Sequence, residues 1–321
     1  MKTSKTRNII RWSIISLLLI FGIFTVGGSF YLIHFALLPK EKVVKSRNTA
    51  LERTFKDYPY MKFWIDSLNN CKAIHDTVIV NPEGIKLHGY YLKAARPTHK
   101  TAVLVHGYTD CAISIFPIAY LFNRQLRYNV LLPDLQYHGQ SEGKAVNMGW
   151  KDRMDVLEWT KVANGIFGNN TEMVIQGISM GGATTMMVSG EKLPSYIKCL
   201  IEDCGYTSAW DEFDYELKNM FGLPKFPLLY GASALCKLRF GWSFGEASAL
   251  KQVAKCKLPM LFIHGSADTY VPTRMVYPLY KAKPQPKELW IVPSAIHAMS
   301  YHDNQKAYTE KVAQFVNKYI R

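Results

Sequence analysis

A serine between glycines is the clearest candidate for chemistry in this chain, because Ser179 lies within the stretch GISMGG at residues 177–182. An apolar run at 173–175 precedes this stretch, and small residues and methionines that favour a helix follow at 183–188. A strand, a sharp turn and a helix in this order can form a nucleophile elbow. Larger side chains beside the serine would collide with the neighbouring backbone, which explains the glycines. The pattern predicts Ser179 as a nucleophile at the carboxyl end of a parallel strand.

A carboxylate and a histidine follow the serine, and these are the partners that a serine nucleophile requires. The apolar run at 258–264 indicates a buried strand, and Asp268 comes shortly after it. Another apolar run at 289–292 is followed by His297. The order serine, acid, histidine after three strands is one of the orders in which such triads occur. We therefore predict that His297 accepts the serine proton and that Asp268 fixes the tautomer of the histidine.

Other polar residues at strand ends remain alternatives. Asp203 follows the preceding strand and competes with Asp268 for the acid role. His302 is a spare histidine near His297, although it is expected to begin the last helix. The remaining histidines at strand ends and turns are expected to be structural, and these are His106, His138 and His264.

An oxyanion hole is the fourth part of such a site. The apolar run at 101–105 indicates a strand that ends in a His-Gly turn, and this turn directs the next N–H into the site. We predict that the backbone N–H groups of Tyr108 and Met180 bind the oxyanion, since Met180 directly follows the nucleophile.

Residues of about 75–320 resemble an α/β-hydrolase fold serine hydrolase, because a further motif accompanies the elbow, the acid and the histidine. The segment 133–141 is similar to the D-x-x-x-H-G-x-S turn of that superfamily, with Gln136-Tyr137 where an Arg-Gly pair is frequent. The stretch EDCGYTS at 202–208 is similar to bacterial serine aminopeptidases and cinnamoyl-esterase-like enzymes. The resemblance implies an α/β fold whose mostly parallel central sheet is flanked by helices, and hydrolysis through an acyl-enzyme.

The sequence also indicates the elements that surround these strands. Amphipathic helices are predicted at 150–162 and at 303–320, and the second of these closes the sheet. Residues 207–245 form an insertion dense in aromatic rings, which we expect to be a small cap over the site. A pocket beneath such a cap is apolar, which favours a hydrophobic or aromatic acyl group over a sugar or a highly charged ester.

The beginning of the chain has a different composition. We divide it into a short basic tail at 1–11, a transmembrane anchor at 12–38 and a basic membrane-proximal segment at 39–72, before a hydrolase domain at 73–321. The apolar segment can span roughly 30 Å of hydrocarbon as a helix. It is longer than the apolar region of roughly 7–15 residues in a cleaved signal peptide. We therefore expect an uncleaved, single-pass anchor with the hydrolase outside the cytoplasm, on the periplasmic or extracellular face.

The net charge of +14 on 321 residues is concentrated near the apolar segment. Residues 1–72 hold twelve Lys or Arg against four Asp or Glu, which favours contact with an anionic bilayer. The remaining charge shows no basic motif interleaved with aromatic residues, so the sequence argues against a nucleic-acid partner. The six cysteines form no C-x-x-C pair and no metal-ligand spacing, and we predict no disulfide, metal or organic cofactor.

These patterns together predict a membrane-anchored serine hydrolase that cleaves the carboxylic ester of a small-molecule or acylated substrate. Amide or peptide cleavage, as in the aminopeptidase-like members, remains the alternative within the same class. No acidic anchor for a substrate amino terminus is identifiable from the sequence. A non-catalytic, membrane-tethered binding protein is the alternative in a different class, because a fold alone does not establish activity.

Overall fold

The computed structural model describes residues 2–39 and 47–321. Its strands are β1 (Ile74–Val80), β2 (Lys86–Leu92), β3 (Lys100–Val105), β4 (Asn129–Pro133), β5 (Glu172–Ile178), β6 (Ile197–Asp203), β7 (Met260–Gly265) and β8 (Lys287–Val292). Its α-helices are α1 (Lys2–Leu37), α2 (Arg47–Asp57), α3 (Met61–Asn70), α4 (Phe116–Ala119), α5 (Asp152–Ile166), α6 (Met180–Val188), α7 (Ala209–Phe221), α8 (Leu228–Phe240), α9 (Ala249–Val253), α10 (Val276–Ala282), α11 (Ser300–Asp303) and α12 (Gln305–Val316).

In the described part of the chain, the strands form one sheet in the order β1-β2-β4-β3-β5-β6-β7-β8. The first two pairings, β1 with β2 and β2 with β4, are antiparallel, and all the others are parallel. The inner strands are continuous apolar runs because both of their faces are covered, as parallel sheets require. The prediction of an α/β-hydrolase fold with a mostly parallel sheet flanked by helices is confirmed.

The sheet separates two hydrophobic cores, which the alternating residues of β3 illustrate. Val103 and Val105 pack into a core that also contains residues of α5, α6, α8 and α9. Ala102 and Leu104 point to the opposite face and pack with residues of α4 and α12. Since α12 covers its face of the sheet, it is the closing helix that the sequence predicts at 303–320.

Helices α2 and α3 belong to the body of the hydrolase. Met61, Trp64 and Ile65 are buried in the same core as α4 and α12, and Ala50 of α2 is buried there too. Both helices therefore pack with the hydrolase body, although they precede the domain boundary that the sequence predicts at residue 73. Lys40, Lys42 and Lys45 of the predicted basic segment lie outside the described residues.

Helix α1 is continuous and contains the predicted anchor segment. Of the described residues, only the stretch Thr6–Leu37 is a helix long and apolar enough to cross a membrane, with a mean hydropathy of 2.2. Its length, composition and place near the start of the chain suit a membrane anchor or a signal sequence. Most of its side chains are exposed, but Ser29, Ile33 and Leu37 near its end are buried against the hydrolase body.

The predicted cap insertion at 207–245 consists mainly of α7 and α8, and α1 packs against both. Ser29 Oγ donates a hydrogen bond of 3.0 Å to the carbonyl oxygen of Leu228, the first residue of α8. The ring of Phe221, the last residue of α7, contacts the rings of Tyr31 and Phe35 edge to face. The cap is therefore held between the sheet and the end of α1.

Candidate active site

Ser179 lies in the turn between β5 and α6 and has a strained backbone, with φ of 57° and ψ of −120°. A positive φ is uncommon for any residue other than glycine, and strain of this kind is typical of functional turns. The neighbouring glycines allow the turn to be tight. A Cβ on Gly177 would overlap the carbonyl group of Gly181, and a Cβ on Gly181 would overlap the carbonyl oxygen of Val105. The close approach of these backbones requires glycine at both positions, as the sequence predicts.

Three predicted residues converge at one edge of the sheet. His297 Nε2 lies 2.8 Å from Ser179 Oγ, and His297 Nδ1 lies 2.7 Å from Asp268 Oδ2. The neighbouring strands end level with one another, so the turns after β5, β7 and β8 meet at the carboxyl edge. This is the geometry in which a histidine can accept a serine proton while a carboxylate holds its other nitrogen.

Asp268 is buried and fully hydrogen-bonded. Its Oδ1 accepts from the backbone N–H groups of Tyr270 and Val271, both at 3.0 Å, while its Oδ2 faces His297. Burial opposes its charge, but hydrogen bonds from His264 and His297 outweigh burial and lower the pKa of Asp268. An ionised carboxylate can only accept hydrogen bonds, so the proton of a neutral His297 is on Nδ1. Nε2 is then free to accept the proton of Ser179.

The alternative acid and one structural histidine have other partners. Asp203 accepts hydrogen bonds from Tyr308 Oη at 2.9 Å and Ser300 Oγ at 3.3 Å. Burial raises the pKa of Asp203 to about 6, although the hydrogen bond from Tyr308 opposes this shift. His264 is buried and its Nε2 lies 2.9 Å from the carbonyl oxygen of Val271 and 3.3 Å from Asp268 Oδ2. His264 therefore helps to hold the carboxylate that faces His297.

The predicted oxyanion loop follows β3 and lies beside the nucleophile. A Cβ on Gly107 would lie 3.5 Å from Ser179 Cβ, an ordinary van der Waals distance, so the loop backbone is about one atom away from contact with the serine. Tyr108 and Met180 line the same cavity as Ser179. His138 fixes the next residue of the loop, because its Nε2 accepts from the backbone N–H of Thr109 at 3.2 Å.

The turn at 133–141 supports this loop from beneath. Asp134 Oδ1 accepts from the backbone N–H of Ala112 at 2.7 Å, and its Oδ2 lies 2.9 Å from Nδ1 of His88. Gln136, which departs from the common motif, is buried and donates to Asp155 at 2.6 Å. The departure from the superfamily pattern therefore affects packing between this turn and α5.

Two cavities of different character meet at Ser179. The first, of about 250 Å³, lies beneath the cap and is mainly apolar. The second, of about 520 Å³, lies beside α2 and is mixed, because Ile115 and Ile118 line it together with the charged or polar residues Arg53, Asp57, Asp110 and His302. His302, the spare histidine of the sequence, thus lines this second cavity and pairs with Asp303 at 2.8 Å.

Two glutamates in the apolar cavity are functional candidates that sequence reasoning missed. Glu212 and Glu216 are four residues apart on α7, so both face the cavity that contains Ser179. Within the described residues, Glu212 Oε2 and Glu216 Oε1 are buried without a hydrogen-bond partner. Burial, reinforced by the neighbouring Glu216, raises the pKa of Glu212 well above its usual range. Their helical spacing is the only sequence signal, and it identifies a shared face without indicating what that face contacts.

One cluster near the site has the residue types of a metal centre. Cys204, Asp268 and His297 place a thiol, a carboxylate oxygen and a ring nitrogen within 4.8 Å of one another. Burial raises the pKa of the Cys204 thiol well above its usual range, so the sulfur keeps its proton. Metal binding requires the thiolate, and Asp268 and His297 are already paired with each other, so this cluster is poorly suited to a metal.

Comparisons with known proteins agree with this architecture. A family model described as the prolyl oligopeptidase family matches residues 135–321. An uncharacterized protein of Bacillus subtilis, YqkD, is 32% identical over 254 residues, which is 78% of this chain and 83% of the relative. These matches confirm the resemblance to α/β-hydrolases that the motifs indicate.

Solved structures share the fold at lower identity. The esterase Pf2001 of Pyrococcus furiosus matches with a TM-score of 0.63 and 23% identity, over 77% of this chain and 93% of its own. The acylaminoacyl peptidase of Pyrococcus horikoshii matches with a TM-score of 0.58 and 14% identity, over 81% of this chain and 44% of its own. At these identities the structures establish the fold, and the chemistry must be argued from the site.

Proposed function

Because the chain belongs to the prolyl oligopeptidase family of α/β-hydrolases, we propose that it is a membrane-anchored serine hydrolase that cleaves a carboxylic ester with an apolar or aromatic acyl group. The observation that carries this proposal is the chain of contacts from Asp268 through His297 to Ser179, at 2.7 and 2.8 Å. Only a strained turn, a tautomer fixed by a buried carboxylate and a level sheet edge give this geometry.

The reaction begins when Ser179 Oγ attacks the ester carbonyl and His297 Nε2 takes the serine proton. The backbone N–H groups of Tyr108 and Met180 bind the developing oxyanion, and each such donor typically contributes about 100- to 1000-fold in turnover. His297 then gives its proton to the leaving alcohol. A water molecule, deprotonated by His297, finally releases the acid from Ser179.

The two cavities bind the two parts of the substrate that the ester bond joins. The apolar cavity beneath the cap suits the acyl group, since apolar walls hold a chain or ring by excluding water. The mixed cavity beside α2 suits the alcohol, because it has the larger volume and contains charged side chains that can bind hydroxyl groups. Water for deacylation reaches Ser179 through this cavity after the alcohol leaves.

The membrane anchor is the second part of the proposal. The apolar length of α1 suits a membrane span, and its buried end supports retention in the mature protein. Removal of the helix as a signal sequence up to residue 38 would expose the core that Ile33 and Leu37 cover. The proposal keeps the expected orientation, with the hydrolase on the periplasmic or extracellular side.

Amide cleavage is the second candidate, and one observation favours it. Glu212 and Glu216 supply the acidic groups that an aminoacyl substrate needs for its ammonium group, and the sequence did not reveal them. We prefer the ester because Glu212 Oε2 is buried without a hydrogen-bond partner, and this burial raises its pKa and so opposes the negative charge that would attract an ammonium group.

A fluorophosphonate probe and a substrate panel test the proposal on the full-length protein in detergent. The probe should label the wild type and should fail to label Ser179→Ala, which loses one hydroxyl and no core contact. Octanoyl and benzoyl p-nitrophenyl esters should be hydrolysed faster than aminoacyl p-nitroanilides, and Glu212→Gln should retain ester activity. Turnover by Ser179→Ala within about tenfold of the wild type would contradict the nucleophile assignment. A preference for anilides that Glu212→Gln removes would establish the amide candidate, and an unlabelled wild type would favour a binding protein.

A further inference from the structure

The end of α1 forms one wall of the apolar cavity. Leu32, Phe35 and Ala36 line this cavity together with Phe221 of the cap and Ser179. The helix that is proposed to cross the membrane therefore also contacts the space beside the nucleophile. A tether alone would not require this arrangement.

Hydrogen bonds hold this wall against the hydrolase body. Tyr108, in the predicted oxyanion loop, donates from its hydroxyl to the carbonyl oxygen of Ala36 at 2.9 Å. The backbone N–H of Val146 donates to the carbonyl oxygen of Leu37 at 3.0 Å. These bonds use carbonyl groups in the last turn of α1, which a helix end leaves without intrahelical partners. The wall is thus a fixed part of the site.

The cavity opens between α1 and α7. Phe35 and Met220 both line the cavity, yet they are 44% and 54% exposed, so each has one side in the cavity and one side outside. The cap exposes two further rings, Phe226 at 64% and Tyr230 at 52%, on either side of Leu228, which contacts Gly28 and Ser29 of α1. Because they adjoin α1 there, these rings continue the apolar surface of the helix onto the cap. A contiguous apolar surface of this kind marks a site of contact with a membrane or a partner.

Resting on the proposed function, we infer that the substrate is a single-chain acyl lipid of the bilayer in which α1 is embedded, and that its chain reaches Ser179 between α1 and α7. The occupant is a lipid because the opening lies where the apolar surface of the anchor meets the cap. It has one chain because about 250 Å³ is small even among small-molecule pockets. Its alcohol is polar because the second cavity at Ser179 contains charged side chains.

A chain-length series tests the inference on the full-length protein in detergent micelles. For the wild type, kcat/KM on p-nitrophenyl esters should rise about fourfold for each added methylene until the cavity is full. Ala36→Phe should lower the ratio of kcat/KM on the dodecanoyl ester to kcat/KM on the butanoyl ester by about 30-fold or more, because the larger ring fills the space that the long chain occupies. Leu32→Trp should act in the same direction. Val26→Phe is the matched control, because Val26 is an exposed residue of α1 outside the cavity.

A second arm compares lipids. Monoacylglycerol in phosphatidylcholine vesicles that contain the enzyme should be hydrolysed at least about tenfold faster than diacylglycerol with the same chain. Any of three results would overturn the inference. They are equal losses of kcat/KM on short and long esters in both cavity variants, a wild-type optimum at the butanoyl ester, and equal rates of hydrolysis of the two lipids. In each of these cases Ser179-dependent hydrolysis of the butanoyl ester still supports the proposed function. If that hydrolysis is absent, the proposed function fails and the inference fails with it.

Discussion

Asp268→Asn is the substitution for which the structure gives the most definite expectation. Oδ1 of the carboxylate accepts from the backbone N–H groups of Tyr270 and Val271, whereas Oδ2 faces His297 Nδ1. The asparagine oxygen must therefore replace Oδ1, which turns the amide NH₂ group toward His297. Because the NH₂ group donates, Nδ1 must accept, and the imidazole proton moves to Nε2. In that tautomer the ring has no lone pair for the proton of Ser179.

The opposite amide orientation keeps the correct tautomer at another cost. It would leave two buried backbone N–H groups facing an NH₂ group, at about 1–3 kcal/mol for each unsatisfied donor. The total of roughly 2–6 kcal/mol corresponds to a loss of about 30-fold to more than 10,000-fold. The tautomer change itself costs on the order of 10,000-fold in a serine protease with the same arrangement. We expect kcat on an octanoyl p-nitrophenyl ester to fall by roughly 1000- to 10,000-fold, because both orientations are unfavourable.

The matched control is Asp203→Asn, since Asp203 is the alternative acid and is bonded to Tyr308 and Ser300. An asparagine oxygen can still accept from Tyr308, so kcat should stay within about tenfold of the wild type. Thermal unfolding of each variant distinguishes lost chemistry from lost fold. A loss below about tenfold for Asp268→Asn, or a larger loss for Asp203→Asn, would refute the assignment of the acid.

Two further predictions concern the membrane and pH. Helix α1 should remain in the mature protein. The protein should therefore stay with membranes at about 1 M salt, where the Debye length is roughly 3 Å and electrostatic attachment is screened. A mature amino terminus after residue 28, found by mass spectrometry, would contradict this prediction. Burial raises the pKa of Glu202 to about 8 from its usual 4.5, so the folded state holds this proton more tightly than the unfolded chain. The free energy of unfolding should therefore fall as pH rises from 4.5 through about 8. Glu202→Gln should reduce the decline of Tm across that range, and a decline as steep as that of the wild type would show that another group causes it.

Most of the candidate site could be predicted because its information is local. The elbow needs glycine at positions 177 and 181 for steric reasons that any sequence must satisfy. Asp268 and His297 follow apolar runs, and the ends of parallel strands meet at one edge whatever the loops between them do. Sequence order therefore indicated which side chains come together around Ser179.

The parts that could not be predicted depend on contacts between distant segments. Met61, Trp64 and Ile65 have the three- and four-residue spacing of one helix face, but this spacing does not indicate that the sheet of the hydrolase covers that face. Glu212 and Glu216 face a cavity only because α7 packs beside the end of α1. Helix α1 is apolar on all sides, so no periodicity distinguishes Ile33, which packs on the hydrolase, from its neighbours that stay exposed.

The burial of the end of α1 also sets an order for biosynthesis. Helix α1 leaves the ribosome before the cap, and roughly 190 residues separate its end at Leu37 from the start of α8 at Leu228. At about 5–20 residues per second, this stretch takes roughly 10–40 s to synthesise. During that time lipid or the insertion machinery must keep Ile33 and Leu37 away from water. The side chain of Ser29 can meanwhile form a hydrogen bond to the backbone of its own helix. On the proposed function, the nascent enzyme is therefore inactive until the cap folds onto this helix.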